Sequence, residues 1–148
     1  MKHRITFLPF LSLVLMVMFS TNVLAQEAKT YYHQEIDLLK LEQYNIAIFK
    51  NSGSYVTGRV ISLYKNNLLR KEEHFSKGKR EGSYKWWYAN GKIGIEGNYL
   101  NNLKEGRYST WYSDGRLKSI EFYHMGELEG NPKYWDRHGK AITEPLPE

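Results

Sequence analysis

At 148 residues, with 21 Lys and Arg against 16 Asp and Glu and no cysteine, the chain is long enough for one small domain. With no thiol there is no disulfide, no cysteine-bound metal and no cysteine-linked lipid, so stability rests on packing. The excess of +5 is small, and its cations alternate with acids (Lys79-Arg80-Glu81, Lys104-Glu105-Gly106-Arg107), the look of a solvated face and not of a nucleic-acid surface.

The chain opens MKHRITFLPFLSLVLMVMFSTNVLAQ. Cations at Lys2 and Arg4, an apolar run from Phe7 to Phe19, and small residues ending at Ala25 are the three parts of a secretory signal. The run is broken by Pro9 and Ser12 and falls short of the ~20 apolar residues of a membrane span. Residues 1–25 therefore read as a leader cleaved between Ala25 and Gln26, with a periplasmic or secreted mature chain that does not span the membrane. Cleavage removes Lys2 and Arg4 and no carboxylate, leaving 19 basic and 16 acidic residues.

Residues 26–57 read as an N-terminal capping segment. Tyr32, Ile36 and Leu39 fit one face of a short helix, while Ile36, Leu38 and Lys40 fit strand alternation almost as well. Further on, Ile46 to Lys50, the turn Asn51-Ser52-Gly53-Ser54 and Tyr55-Val56 suggest a hairpin.

From Gly58 the chain repeats every 24 residues. Gly58, Gly82, Gly106 and Gly130 share a slot, as do Leu63, Trp87, Trp111 and Trp135, and Tyr64, Tyr88, Tyr112 and Asp136. Such self-similarity marks a repeat array, with units at 58–81, 82–105 and 106–129 and a partial unit at 130–142. Asn90-Gly91 and Asp114-Gly115 suggest tight type I′ turns, and Asn101-Asn102 and Met125-Gly126 supply a second turn in each unit. Aromatic and β-branched runs between them read as short antiparallel strands. The expected fold is all-β: an antiparallel meander of 24-residue hairpins in one elongated sheet, followed by a disordered tail at 143–148.

Alternation places Tyr108, Thr110 and Tyr112 on one face and Arg107, Ser109 and Trp111 on the other. The recurring glycine suggests a place where a neighbouring ring lies over bare backbone. Trp87, Trp111 and Trp135 suggest a row along one face, with Trp111 central and Trp135 near the open end. Together with Tyr88 and Tyr112 they form the candidate binding surface.

The pattern G-x-Y-x-x-W-Y-x-[ND]-G-[KR]-x-x-x-x-E-x-x-Y, closest in Gly82 to Lys104 and Gly106 to Glu127, resembles the bacterial variant of the MORN (membrane occupation and recognition nexus) repeat. Members of that family are often labelled YwqK-family antitoxins. The resemblance implies a sheet of stacked hairpins used as an interaction surface, with a protein partner; beside an export signal, an antitoxin's partner would be a secreted toxin. Asn66-Asn67 in place of Asn-Gly and Pro132 in place of the repeat tyrosine mark the end units as degenerate caps.

No catalytic pattern emerges. His33, His74, His124 and His138 share no repeat slot and no metal-ligand spacing, and read as exposed strand or turn residues. Ser83, Ser109 and Ser113 sit in no nucleophile elbow. Glu72, Glu96 and Glu121 suggest ion pairs with cations of neighbouring strands before they suggest a glycosidase pair. The expectation is a non-enzymatic protein-interaction module without cofactor or metal, or alternatively a cell-wall or polysaccharide-binding module using the Trp and Tyr residues.

Overall fold

The computed structural model of the protein describes residues 29–145. The expected leader at 1–25, its expected Ala25-Gln26 junction and residues 146–148 lie outside the described residues. Nine strands follow one another in a single sheet in chain order, so the hairpin meander expected from the period is what the chain forms. β1 (Thr30–Tyr32) runs parallel to β2 (Gly58–Leu63). All later pairs are antiparallel: β3 (Leu69–Ser76), β4 (Lys79–Trp87), β5 (Ile93–Leu100), β6 (Leu103–Trp111), β7 (Leu117–His124), β8 (Glu127–Trp135) and β9 (Ala141–Ile142).

The ambiguous stretch before the repeat becomes both structures in turn. After β1 come a 3-10 turn, His33–Glu35, and a helix, α1 (Leu38–Tyr44). Asp37 caps α1 by accepting from the Lys40 N–H, and Asn45 ends it in the left-handed region at φ 54. Seven residues cannot hold a helix in water alone. Leu41 supplies the anchor, buried with Ile36, Ala47, Val56, Val60 and Phe75 against β2 and β3. The hairpin expected at 46–56 is reduced to one bridge, Ile48 to Tyr55, while Phe49 bridges back to Ile36.

Two kinds of turn alternate, and they differ from the sequence expectation. At Asn90-Gly91 only Gly91 has positive φ (81°), and at Asp114-Gly115 only Gly115 (91°). Gly91 N–H bonds the Tyr88 carbonyl and Tyr88 N–H the Lys92 carbonyl, which is a type I turn closed by a left-handed glycine. The type I′ signature, positive φ at both loop residues, belongs to Lys77-Gly78, Asn101-Asn102 and Met125-Gly126. The Asn90 side chain explains the difference: its Oδ1 accepts from Lys92 N–H and its amide donates to the Ser113 carbonyl of the next unit.

The repeat glycine is also corrected. No ring lies over Gly82, Gly106 or Gly130; a Cβ there would meet only His74 Cβ at Gly82 and open space at the other two. Their φ values of 100°, 70° and 70° coincide with register breaks, between Glu73 and Phe75, Glu96 and Asn98, and Ile120 and Phe122, where β4, β6 and β8 bulge against the preceding strand. Glycine recurs because a bulge needs left-handed backbone. Rings do cover two other glycines of β5: Tyr108 lies on Gly97, and Trp86 on Gly94.

The outer side of β8 is paired only at Tyr134 and Trp135. Pro132, where other units carry Tyr, therefore sits on an edge strand, where a missing N–H does least harm and discourages further pairing.

Candidate functional site

The candidate tyrosines tie successive units together. Tyr64 donates its hydroxyl proton to the Trp87 carbonyl (2.6 Å), Tyr88 to that of Trp111 (2.8 Å) and Tyr112 to that of Trp135 (2.8 Å). Tyr112 is buried and Tyr88 half-buried. Where no further unit follows, the slot holds Asp136, which caps its own turn by accepting from His138 and Lys140 N–H. Trp87, Trp111 and Trp135 are all half-buried, so the central and terminal tryptophans share one burial class.

The ring contacts run along the other face. Tyr84 and Tyr108 stack with centroids 6.5 Å apart and planes 18° off parallel, because Gly97 between them has no side chain. Tyr99 meets Tyr84 edge-on at 5.7 Å, and Tyr123 meets Tyr108 at 6.0 Å. Cations fill the gaps: Arg80 lies over Phe75 and Tyr99, and Lys104 over Tyr108 and Tyr123 at 4.1 and 4.4 Å. Burial, with the Glu73 and Tyr99 charges adding to it, pushes Tyr84 up to about 12. Burial likewise pushes Tyr108 up, helped by Tyr99 and Tyr84. The sequence signal for this ladder was the Phe75, Tyr99, Tyr123 slot together with Tyr84 and Tyr108; the tryptophans drew attention away from it.

Glu73 is buried, with Arg80 Nε 2.9 Å from one carboxylate oxygen and Lys71 Nζ 2.6 Å from the other. Burial opposes its charge, but the two cations outweigh burial and hold the carboxyl below its usual range. Arg80 reaches on to the Asn45 side chain at the end of α1, so one guanidinium joins helix, core carboxylate and ladder. Of the acids expected to pair across strands, Glu72 pairs with Arg59 and Glu96 with Lys85, while Glu121 accepts from the Tyr123 hydroxyl on its own strand.

One arrangement brings a hydroxyl and an imidazole together. Ser83 Oγ lies 3.0 Å from His74 Nδ1, beside a groove of about 240 Å³ lined by Glu96, Asn98, Arg107, Ser109 and Trp111. The same Nδ1 lies 3.1 Å from the Ser83 carbonyl. A carbonyl can only accept, so in the tautomer that bonds it Nδ1 carries the proton and takes none from the hydroxyl. In that form His74 pins β3 to β4. It and His33 are half-buried, unlike the exposed residues expected, because both sit where side chains pack against the sheet; His124 and His138 are exposed.

At the type I′ turns of the later units four large apolar side chains face solvent: Leu100 and Leu103 (each 43% exposed), Leu128 (49%) and Met125 (63%). Leu100 pairs with Leu103 across one turn, and Leu103 reaches to Gly126 in the next. The first unit has Ser76, Lys79, Arg80 and Lys77 in these slots. An apolar cluster confined to one corner is not a requirement of the repeat.

Comparison with known protein families, with characterised proteins and with solved structures finds no match. Among the described residues, no helix is long and apolar enough to cross a membrane.

Proposed function

We propose that the chain is an exported, non-enzymatic protein-interaction module of the MORN-variant type, and that its partner docks on the corner formed by Leu100, Leu103, Met125 and Leu128. The observation that carries this reading is the exposure of those four side chains together, next to the Lys104 and Tyr123 end of the ladder. Contiguous apolar surface rimmed by polar groups marks interaction sites, and Met and Leu adapt readily to a partner surface. The Ser83 carbonyl beside His74 Nδ1, a group that can only accept, favours a donating Nδ1 and so a non-catalytic role. An antitoxin-like activity against a secreted toxin is the form of this reading that the repeat pattern suggests.

A photo-crosslinking residue placed at Leu103 and, as a control, at Lys133 tests it in the native envelope. A saturable protein adduct from position 103 that is lost in the Met125→Glu, Leu128→Glu variant supports the reading. Equal labelling from both positions removes it.

A second reading, a module for cell wall or polysaccharide, is favoured by the polar groove beside Trp111. Retention of the purified protein on insoluble peptidoglycan separates it from the first.

A further inference from the structure

The two long edges of the sheet differ in charge. Segments 63–70, 87–94, 111–118 and 135–142, which hold the type I turns closed by Asn67, Gly91, Gly115 and Gly139, contain seven Lys and Arg and two Asp. The opposite turn segments 75–82, 99–106 and 123–130 contain four cations and four Glu. Asp114 and Asp136 on the first edge each accept a backbone N–H of their own turn, and Asp114 also lies 3.6 Å from Arg116.

Two hollows open along this basic edge. One, of about 510 Å³, is lined by Leu63, Tyr64, Lys65, Asn66, Arg70 and Ala89. The other, of about 450 Å³, includes Trp86, Tyr88, Thr110, Trp111 and Lys118. They share a plan: a tyrosine tied to the next unit forms a wall, and a cation from the register break of the returning strand stands at the rim. Arg70 lies over Tyr64, and Lys118 over Tyr112.

The second unit departs from the plan in a coordinated way. The slot of Arg70 and Lys118 holds Gly94, and the slot of Ser62 and Thr110 holds Trp86. A Cβ on Gly94 would collide with the Trp86 ring, which meets Tyr88 edge-on at 4.6 Å. Removing the cation made room for the indole, so the middle of the edge has an aromatic wall between two cationic rims. Thr110 and Ser119 add a hydroxyl pair 2.8 Å apart beside it.

We propose that this edge binds a linear polysaccharide of carboxylate-bearing sugars, with a pyranose ring against Trp86 and carboxylates at Arg70 and Lys118. A sugar offers an apolar C–H face to a ring and hydroxyls to Thr110, which an acidic peptide does not combine in one residue. Both hollows fall in the size range of small-ligand sites, and Arg70 on β3 and Lys118 on β7 stand four strand spacings apart, roughly 19 Å, so a chain of several sugars is needed to reach both. The inference deepens the polysaccharide reading and is independent of the apolar corner on the opposite edge.

The test is titration of the mature protein with a galacturonate hexamer, a neutral cellulose-type glucose hexamer and poly-glutamate, followed by tryptophan fluorescence and calorimetry. The galacturonate hexamer is expected to bind, with affinity falling about ten-fold in Trp86→Ala, the scale of one aromatic contact. In a double Arg70→Gln, Lys118→Gln variant, which spares the aromatic packing, affinity falls about five-fold or more. Lys79→Gln on the other edge leaves it unchanged. Equal binding of the neutral hexamer overturns the acidic specificity while leaving the polysaccharide reading intact. Binding of neither sugar overturns both, and equal binding of poly-glutamate reduces the edge to a charge surface and overturns the proposal.

Discussion

The phenolic hydroxyl of Tyr88 donates to the backbone carbonyl of Trp111, 23 residues downstream, across 2.8 Å. Tyr64 and Tyr112 do the same to Trp87 and Trp135, so the Trp-Tyr pair is the seam between consecutive units. The tryptophan contributes its backbone to the seam and the tyrosine its side chain. Replacing Tyr88 or Tyr112 by Phe keeps the ring and removes one bond, leaving a carbonyl short of its partner. Each variant is expected to lose about 1 kcal/mol, seen as a fall of about 3–5 °C in Tm for a domain of this size. A Tm unchanged in both variants would show that the seam is held by packing alone.

Glycines of this chain separate into two classes that one substitution distinguishes. Gly97→Ala drives a methyl group into the Tyr108 ring, a neighbour that is itself buried, and is expected to cost about 1–3 kcal/mol as overpacking. Gly106→Ala meets open space but must hold φ at 70°, so it loses about 1–2 kcal/mol to backbone strain. The companion change Tyr108→Ala should rescue much of the first defect and none of the second. Chemical denaturation of the three single variants and the two doubles with Tyr108→Ala measures both couplings.

The period, the strand order and the absence of helix from 58 to 142 were legible because each repeats a hydrogen-bonding requirement that leaves residues in fixed slots. Turn type was less legible, since Asn90 spends its side chain on Ser113 of the next unit, a contact that local Asn-Gly statistics do not contain. Gly82 and Gly106 showed that glycine was required, but a bulge and a ring stacked on backbone ask for the same residue. Residues 29–57 make their contacts once instead of in every unit, so no internal comparison could decide between helix and strand; Leu41 settles the matter by packing on Val60 and Phe75. At the candidate surface, the tryptophans were visible as letters, whereas the apolar corner at Leu100 and Met125 exists only because two turns lie side by side.

Alkaline titration should report the ladder. Burial raises Tyr84 to about 12 from the usual 10, and Glu73 and Tyr99 add to the shift. A folded-state value above the unfolded one means the unfolded chain gives up its proton first. The stabilisation from Tyr84 is therefore complete below about pH 10 and disappears as pH rises towards 12. Ultraviolet titration should show Tyr84 and Tyr108 ionising late, at the unfolding transition. In Tyr84→Phe the slope of stability against pH over this window should become shallower; an unchanged slope would assign the alkaline transition to other groups.

Acid should act through Glu73, with the opposite sign. Burial alone would raise its carboxyl, but Lys71 and Arg80 reverse that and hold it below its ordinary value of 4.5. Its contribution is present above about pH 4.5 and is lost as pH falls through the depressed folded-state value, because the unfolded chain takes up the proton first. Glu73→Gln removes the charge at every pH and leaves Lys71 and Arg80 without their counter-ion. Complete burial of an unpaired charge would be more costly, but both cations can turn partly towards solvent, so the expected loss is about 3 kcal/mol at neutral pH, the low end for a broken buried pair. Arg80 also holds Asn45, so loosening should appear first in α1, as faster amide exchange from Leu41 to Tyr44, while β6 and β7 stay protected. Urea melts of wild type and variant at neutral and acid pH should converge as pH falls; a gap that stays constant would show that Glu73 acts through shape and not through charge.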